Sequence, residues 1–203
     1  MRRTAAALLV LVAAVAGAGR FDGYFAELEA PDRARWQQPE RVVGALRLRQ
    51  GMTVADVGAG TGYFARRFAA AVGPQGRVLA LDMEQETLDE LRRRAPDATN
   101  IELRRVAPDD PGLAPASVDL IFICNTGHHL HDRVRYYATL HRALRRGGRL
   151  ALVDFAKRPL PVGPPVKEKL SRAATQREAE AAGFRLRAAH TFLPYQYFLE
   201  LAR

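Results

Sequence analysis

The chain has 203 residues, the size of one ordinary domain, and its 48% hydrophobic and 26% charged content with 12 Pro and 16 Gly excludes disorder, collagen and coiled coil as its main state. The net charge is +9, and all of the 31 basic residues except Lys157, Lys167 and Lys169 are arginine. Runs such as Arg92 to Arg94 and Arg145-Arg146 alternate with Leu and Ala in helical patterns and lack interleaved aromatics, so they read as solvated helix faces, and no specific nucleic-acid partner is expected. The one cysteine, Cys124, lies in the apolar run VDLIFIC; it excludes an internal disulfide and any Cys-rich zinc site.

Arg2 and Arg3 precede an uncharged stretch from Thr4 to Gly19 with small-residue pairs around Ala14 to Ala18 that a signal peptidase accepts. Residues 1–19 therefore read as a signal-peptide-like or membrane-anchor segment, with an Ala-rich start or a buried helix as the alternative. As an export signal it places the body in the periplasm, outside the cell or on the inner membrane; if it does not function, the protein is cytoplasmic. Residues 20–50 form a helical cover, with Asp22 to Ala30 and Glu40 to Leu48 amphipathic and PDRARWQQP a turn-rich joint between them. Residues 51–203 form the main domain.

From Met52 onward short apolar runs alternate with helical stretches: TVADVG (53–58), RVLALD (77–82), NIELRRV (100–106), VDLIFICN (118–125) and RLALVDF (149–155). Strand and helix repeating at this spacing predict a mostly parallel sheet with helices on both faces, a three-layer α/β sandwich. Helices are expected over YFARRFAAAV, MEQETLDELRRRA and DRVRYYATLHRALRR. The segment 157–171 carries four prolines and cannot be regular helix or central strand; its place after the fifth strand makes it a candidate substrate lid or a plain connection. The last runs, FRLRAAHTF (184–192) and YQYFLELA (195–202), have only Leu193-Pro194 between them and predict an antiparallel hairpin at the sheet edge.

The sharpest local signal is VADVGAGTGYFA (54–65), in which Gly58, Gly60 and Gly62 follow a strand and open a helix. Asp56 precedes the loop, and its charge suits an ammonium or sulfonium better than a phosphate. Asp82 ends the next strand, where a carboxylate can accept from two ribose hydroxyls. Further along the chain Asn125 ends the fourth strand, followed by His128, His129 and His131, natural bases near neutral pH. His128, His131 and Asp132 have the residue types of a metal site, but no second cluster completes it and no metal is expected. On the C-terminal strand, alternation places Tyr195 and Tyr197 on one face and Gln196 and Phe198 on the other. Arg33, Arg35, Trp36, Gln37 and Gln38 precede the core and can contribute a lid.

These pieces, with LALD (79–82), GHHLHD (127–132) and LRRGGRLALVDF (144–155), resemble the class I S-adenosylmethionine-dependent methyltransferases, in particular the small ubiquinone/menaquinone methyltransferase-like group, over about residues 35 to 202. The resemblance implies a Rossmann-like fold with a seven-stranded sheet whose last strand is antiparallel. It also implies S-adenosylmethionine as cofactor and S-adenosylhomocysteine as product. By motif, Gly58, Gly60 and Gly62 pass the methionine part, Asp56 lies near its amino group, Asp82 binds the ribose and Met83 sits against the adenine. Ala107 and Asp109, with Asp110, occupy the stretch that meets the adenine edge. His129, His128 and Asn125 are the candidate catalytic or substrate-orienting residues. The expected acceptor is a small or lipid-like molecule, with membrane association possible through residues 1–19 and no expectation for oligomeric state. A protein or RNA methyltransferase and a non-catalytic adenosyl-ligand sensor or scaffold are the alternatives. The lone cysteine argues against the thiol-ligand mechanism of arsenite methyltransferases, which share this resemblance.

Overall fold

A computed structural model describes residues 21–203; the export-like segment 1–19 lies outside the described residues. The described chain begins with three short helices, α1 (Asp22–Leu28), α2 (Arg33–Gln37) and α3 (Pro39–Leu46). The segment expected as a turn-rich joint is thus helical over Arg33–Gln37. Gln38, in the left-handed region at φ +43°, stops α2 and turns the chain, and Pro39 starts α3 at a position where its missing N–H costs nothing.

The strands are β1 (Thr53–Val57), β2 (Arg77–Asp82), β3 (Ile101–Arg105), β4 (Val118–Cys124), β5 (Leu144–Phe155), β6 (Arg185–His190) and β7 (Gln196–Ala202). They form one seven-stranded sheet in the order β3-β2-β1-β4-β5-β7-β6, parallel except where β7 runs antiparallel between β5 and β6. The helices after α3 are α4 (Ala65–Val72), α5 (Gln85–Arg94), α6 (Arg133–Ala143) and α7 (Arg172–Ala181), with a single 3-10 turn at Gly127–His129.

Two features differ from expectation. Helix α6 stops at Ala143, and Leu144 already pairs with Val118 across a register shift, so β5 starts five residues before the expected RLALVDF. The alternation of Arg with Leu and Gly in LRRGGR imitates a helix end. Helix α7, which the sequence reading did not identify, is held by Ser171, whose hydroxyl accepts from the Ala174 N–H at 3.2 Å. Its polar sequence RAATQREAEA buries only Thr175 and Ala179, too weak an apolar stripe to stand out.

Alternation along the strands divides the core in two. Ile121, Ile123, Leu150, Leu152, Leu199 and Leu201 pack against Tyr137 and Leu140 of α6 and Ala179 of α7. Leu120, Phe122, Val153 and Phe198 face Val42 and Leu46 of α3 and Phe68 of α4. The expected faces of the last strand hold: Tyr197 belongs to the first cluster and Phe198 to the second. The N-terminal helices are bolted to the C-terminal edge by buried Arg149, which donates to the Leu46 carbonyl at 2.6 Å and to Glu200 at 2.8 Å; His190 also bonds Glu200, at 2.7 Å. No helix among the described residues is long and apolar enough to cross a membrane.

Candidate active site

The carboxyl ends of β1, β2, β4 and β5 lie side by side, and the reversal of strand order between β1 and β4 opens the crevice where ligands bind in open α/β sheets. The loop after β1 turns sharply, its Gly58 and Ala59 N–H groups both donating to the Leu81 carbonyl at 2.8 and 3.0 Å. Gly58 is in the left-handed region at φ +72°, and a Cβ there would lie 2.2 Å from Thr126 Oγ1; Gly62, at φ +83°, would collide with Leu91 at 2.0 Å. Glycine is thus required both by backbone conformation and by close approach.

Asp56 is buried on β1, and among the described residues its Oδ2 has no hydrogen-bond partner. Burial and the charge of Asp82 push its carboxyl from an ordinary 3.8 up to about 7, against an opposing pull from Arg33. Arg33, on α2, is also buried: it donates to the Leu28 carbonyl, lies over the Tyr63 ring at 3.9 Å, and its Nε has no partner among the described residues. A buried anion and a buried cation, each with an open valence, match the ammonium and carboxylate of an α-amino acid. In the sequence Arg33 stands only within a lid over the cofactor; the fold brings its charge to bear on Asp56 of β1.

Asp82 ends β2 half-buried, accepting from the Gly60 N–H at 2.8 Å through Oδ2 and from the Glu84 N–H at 3.1 Å through Oδ1. These bonds aim the carboxylate across the loop. Met83 beside it is 49% exposed, a large apolar side chain open at the mouth of the crevice. Ala107 forms a bridge with Asp110, whose Oδ1 accepts from the Gly112 N–H, while Asp109 is exposed. Helix α1 covers this end. Leu28 approaches Gly60, and Glu29 accepts from Thr61 Oγ1 at 2.6 Å and pairs with Arg66 at 2.6 Å. The half-exposed Tyr24 has its phenol raised by partial burial and by the Asp82 and Glu27 carboxylates.

On the β4 and β5 side of the same crevice Asn125 follows β4 in the left-handed region, φ +56°, a conformation asparagine tolerates better than most residues. Its Oδ1 accepts from Gln196 Nε2 at 2.6 Å, and Gln37 Nε2 donates to Gln196 Oε1 at 2.8 Å. Three carboxamides, from α2, β7 and the β4 loop, thus meet over Cys124. Burial pushes the Cys124 thiol well above its ordinary value, which makes it an inert side chain. Trp36 packs on Phe155 and Tyr195 with ring centroids 5.7 and 6.5 Å apart. The Pro-rich loop folds back on this cluster: Gly163 abuts the Phe155 ring, and buried Lys169 donates to the Arg158 carbonyl at 3.1 Å.

The histidines separate. His128 sits on the 3-10 turn with its Nδ1 2.9 Å from Asp154 Oδ1, its side chain 4% exposed. The His129 ring lies tilted beside it, centroids 4.1 Å apart, but is itself exposed, and partial burial together with the neighbouring His128 lowers its pKa. His131 is exposed, and Asp132 accepts from the Arg135 N–H as the cap of α6, so the three candidate ligands do not converge. No group of His, Cys, Asp or Glu that could hold a metal occurs among the described residues. The sequence reading passed over Asp154; its place at the end of β5, after the apolar RLALV, was the available signal.

A family profile described as a methyltransferase domain matches residues 54–148. A crystal structure of an S-adenosylmethionine-dependent methyltransferase from Aquifex aeolicus superposes with a TM-score of 0.84 at 27% identity, covering 89% of this chain and 97% of that one. The ubiquinone/menaquinone biosynthesis C-methyltransferase of Klebsiella pneumoniae is 30% identical over 62% of this chain and 49% of its own. An arsenite methyltransferase of Halobacterium salinarum is 32% identical over 53% of this chain and 28% of its own. The chain thus spans half the length or less of these curated relatives. The fold is that of a class I Rossmann-like methyltransferase domain. In sequence over residues 54–148 and in fold over 89% of its length, the chain matches the S-adenosylmethionine-dependent methyltransferases, a family whose cofactor is S-adenosylmethionine.

Proposed function

We propose that the protein transfers a methyl group from S-adenosylmethionine to a small-molecule acceptor. The observation that carries this reading is the pair of incompletely satisfied buried charges, Asp56 and Arg33, beside the glycine loop. Their signs and burial suit the zwitterionic methionine end of the cofactor, with Gly58, Gly60 and Gly62 allowing the backbone to approach. Asp82 would take the ribose hydroxyls, exchanging its Gly60 bond for them, and Met83 would cover the adenine beside Ala107 and Asp109. The bound cofactor supplies an electrophilic methyl group on a sulfonium. The chain's own contribution is to hold the acceptor in line with it and remove any proton the acceptor carries. Asn125, Gln37 and Gln196 offer polar contacts to the acceptor, and His128 and His129 are the candidate bases. The Trp36, Phe155 and Tyr195 rings beside them suit an acceptor with an aromatic or otherwise flat apolar part.

The curated relatives with assigned reactions favour a small molecule over protein or RNA. A lipid-like acceptor and attachment through residues 1–19 form a finer proposal that rests on the uncharged stretch after Arg2 and Arg3. The test uses S-adenosylmethionine labelled on the methyl group, with lipid, soluble-metabolite, protein and RNA fractions as acceptors. Label is expected in lipid or soluble metabolites and is abolished by Asp82→Ala. Label in protein or RNA alone overturns the acceptor class, and cofactor binding without label in any fraction favours a sensor. Equal recovery in the soluble fraction with and without residues 1–20 removes the attachment.

A further inference from the structure

We propose that Asp154 is a positioning residue that locks His128 in one tautomer, with the proton on Nδ1 and the lone pair on Nε2, so that Nε2 takes the proton of a hydroxyl-bearing acceptor. This deepens the methyl-transfer reading and rests on it. The Asp154 carboxylate is buried at the end of β5, and every bond it makes is an accepted one. Oδ1 takes the Phe155 N–H at 2.8 Å and faces His128 Nδ1 at 2.9 Å; Oδ2 takes the His128 N–H at 3.2 Å and faces the same Nδ1 at 3.1 Å. The two backbone groups can only donate, and an ionised carboxylate has no proton to offer, so the ring nitrogen between its oxygens donates. Neutral imidazole has one N–H. Placing it on Nδ1 leaves Nε2 as a base, and Nε2 has no hydrogen-bond partner among the described residues.

The turn is built around this contact. A Cβ on Gly127 would lie 3.2 Å from Asp154 Oδ2, so glycine lets the turn settle onto the carboxylate. The backbone N–H and the ring of His128 then grip the same group, which fixes χ1 and χ2 together. His129 is the more exposed of the two and has no carboxylate hydrogen-bond partner among the described residues, which separates the adjacent histidines.

In the step assigned to His128, the acceptor's O–H proton passes to Nε2, and the oxygen lone pair forms the new O–CH3 bond as the S–CH3 bond opens. The electron pair of that bond stays on sulfur. The imidazolium so formed is stabilised by Asp154, and its Nε2 proton is returned to solvent. A base of this kind matters for a phenolic or similar hydroxyl and adds little for a thiolate or a nucleophile already deprotonated. Ionisable groups around the dyad are Cys124 at the end of β4, His129 on the same turn, Glu168 on the Pro-rich loop, whose charge reaches His129, and Tyr137, Tyr197 and Glu178 from α6, β7 and α7.

The test begins without any variant. Ring nitrogen resonances of the 15N-histidine-labelled full chain, with His128 assigned through His128→Gln, should report the Nδ1–H tautomer with and without S-adenosylhomocysteine; an Nε2–H tautomer overturns the proposal. Asp154→Asn offers one acceptor oxygen to three donors and turns an amide N–H toward the ring, so it should move His128 to the Nε2–H form. With catechol, benzylamine and thiophenol as probe acceptors, methyl label is expected in catechol, with kcat lowered at least ~100-fold in Asp154→Asn. S-adenosylhomocysteine affinity should stay within about threefold. Label only in the amine or thiol, label in none of the three, or turnover unchanged in the variant overturns the proposal. Absence of S-adenosylhomocysteine binding by the wild type defeats the broader methyl-transfer reading instead, and leaves the tautomer measurement readable.

Discussion

A carboxyl group sealed from water beside a second acid costs the folded protein free energy whenever it is charged. Asp56 is in that position, and the sign of the effect follows from its raised pKa of about 7 against an ordinary 3.8. The folded state holds the Asp56 proton through this window while the unfolded chain has lost it, so the ligand-free protein loses stability as pH rises from about 4 to about 7. At about 1.4 kcal/mol per unit the loss reaches up to about 4 kcal/mol. Asp56→Asn should therefore melt at a higher temperature than wild type at pH 8 in the absence of ligand, with little difference at pH 4. The same substitution should weaken S-adenosylmethionine binding at least ~10-fold, since a neutral amide cannot balance a buried ammonium. Wild-type affinity should fall about tenfold per pH unit below pH 7, as the carboxylate becomes protonated in the free protein. Calorimetry between pH 5.5 and 8 checks both statements, and a flat profile in the wild type contradicts them. The residue thus trades stability for affinity, a conflict expected of functional positions.

At the scale of elements, the cover over the cofactor end is short helix held by few bonds. Helix α1 buries none of its side chains, and Glu29 just beyond it is tied to Thr61 and Arg66 of the glycine loop and its helix. Glu29→Ala should leave global stability within about 1 kcal/mol while freeing α1. Trypsin should then cut at Arg33 or Arg35 faster than in wild type, and S-adenosylmethionine should bind more weakly; unchanged cleavage contradicts this account of the cover. Legibility in the sequence follows the same division. The glycine loop, Asp82 and the terminal hairpin were readable because each is a local pattern with a local cause. Helix α7 and the early start of β5 were not, since α7 buries little and LRRGGR reads equally as helix end or strand. Arg33, Gln37 and Asp154 have roles that depend on partners on other elements: Arg33 acts on β1, Gln37 bonds Gln196 across 159 residues, and Asp154 bonds His128 across 26. No window along the chain contains such pairs.

For the whole molecule the decisive joint is Arg149, which connects α3 to the β5, β7 and β6 end of the sheet through the Leu46 carbonyl and Glu200. Both side chains of the ion pair are nearly buried, at 9% and 6% exposed, so removing one leaves the other charge uncompensated in the interior. Glu200→Ala should cost about 3–5 kcal/mol in urea unfolding, and a loss below about 1 kcal/mol contradicts this reading. The antiparallel insertion of β7 has a further effect, on biosynthesis. Strand β6 is made before β7, yet among the described residues β7 is its one neighbour in the sheet, so the ribosome delivers a strand with no place to dock. During that interval both of its edges are open to other nascent chains. Its sequence RLRAAH, with Arg185 and Arg187 exposed in the finished sheet, carries the repulsive charge that discourages such pairing, and neutralising these two arginines should be felt first as lower yield of soluble protein during expression.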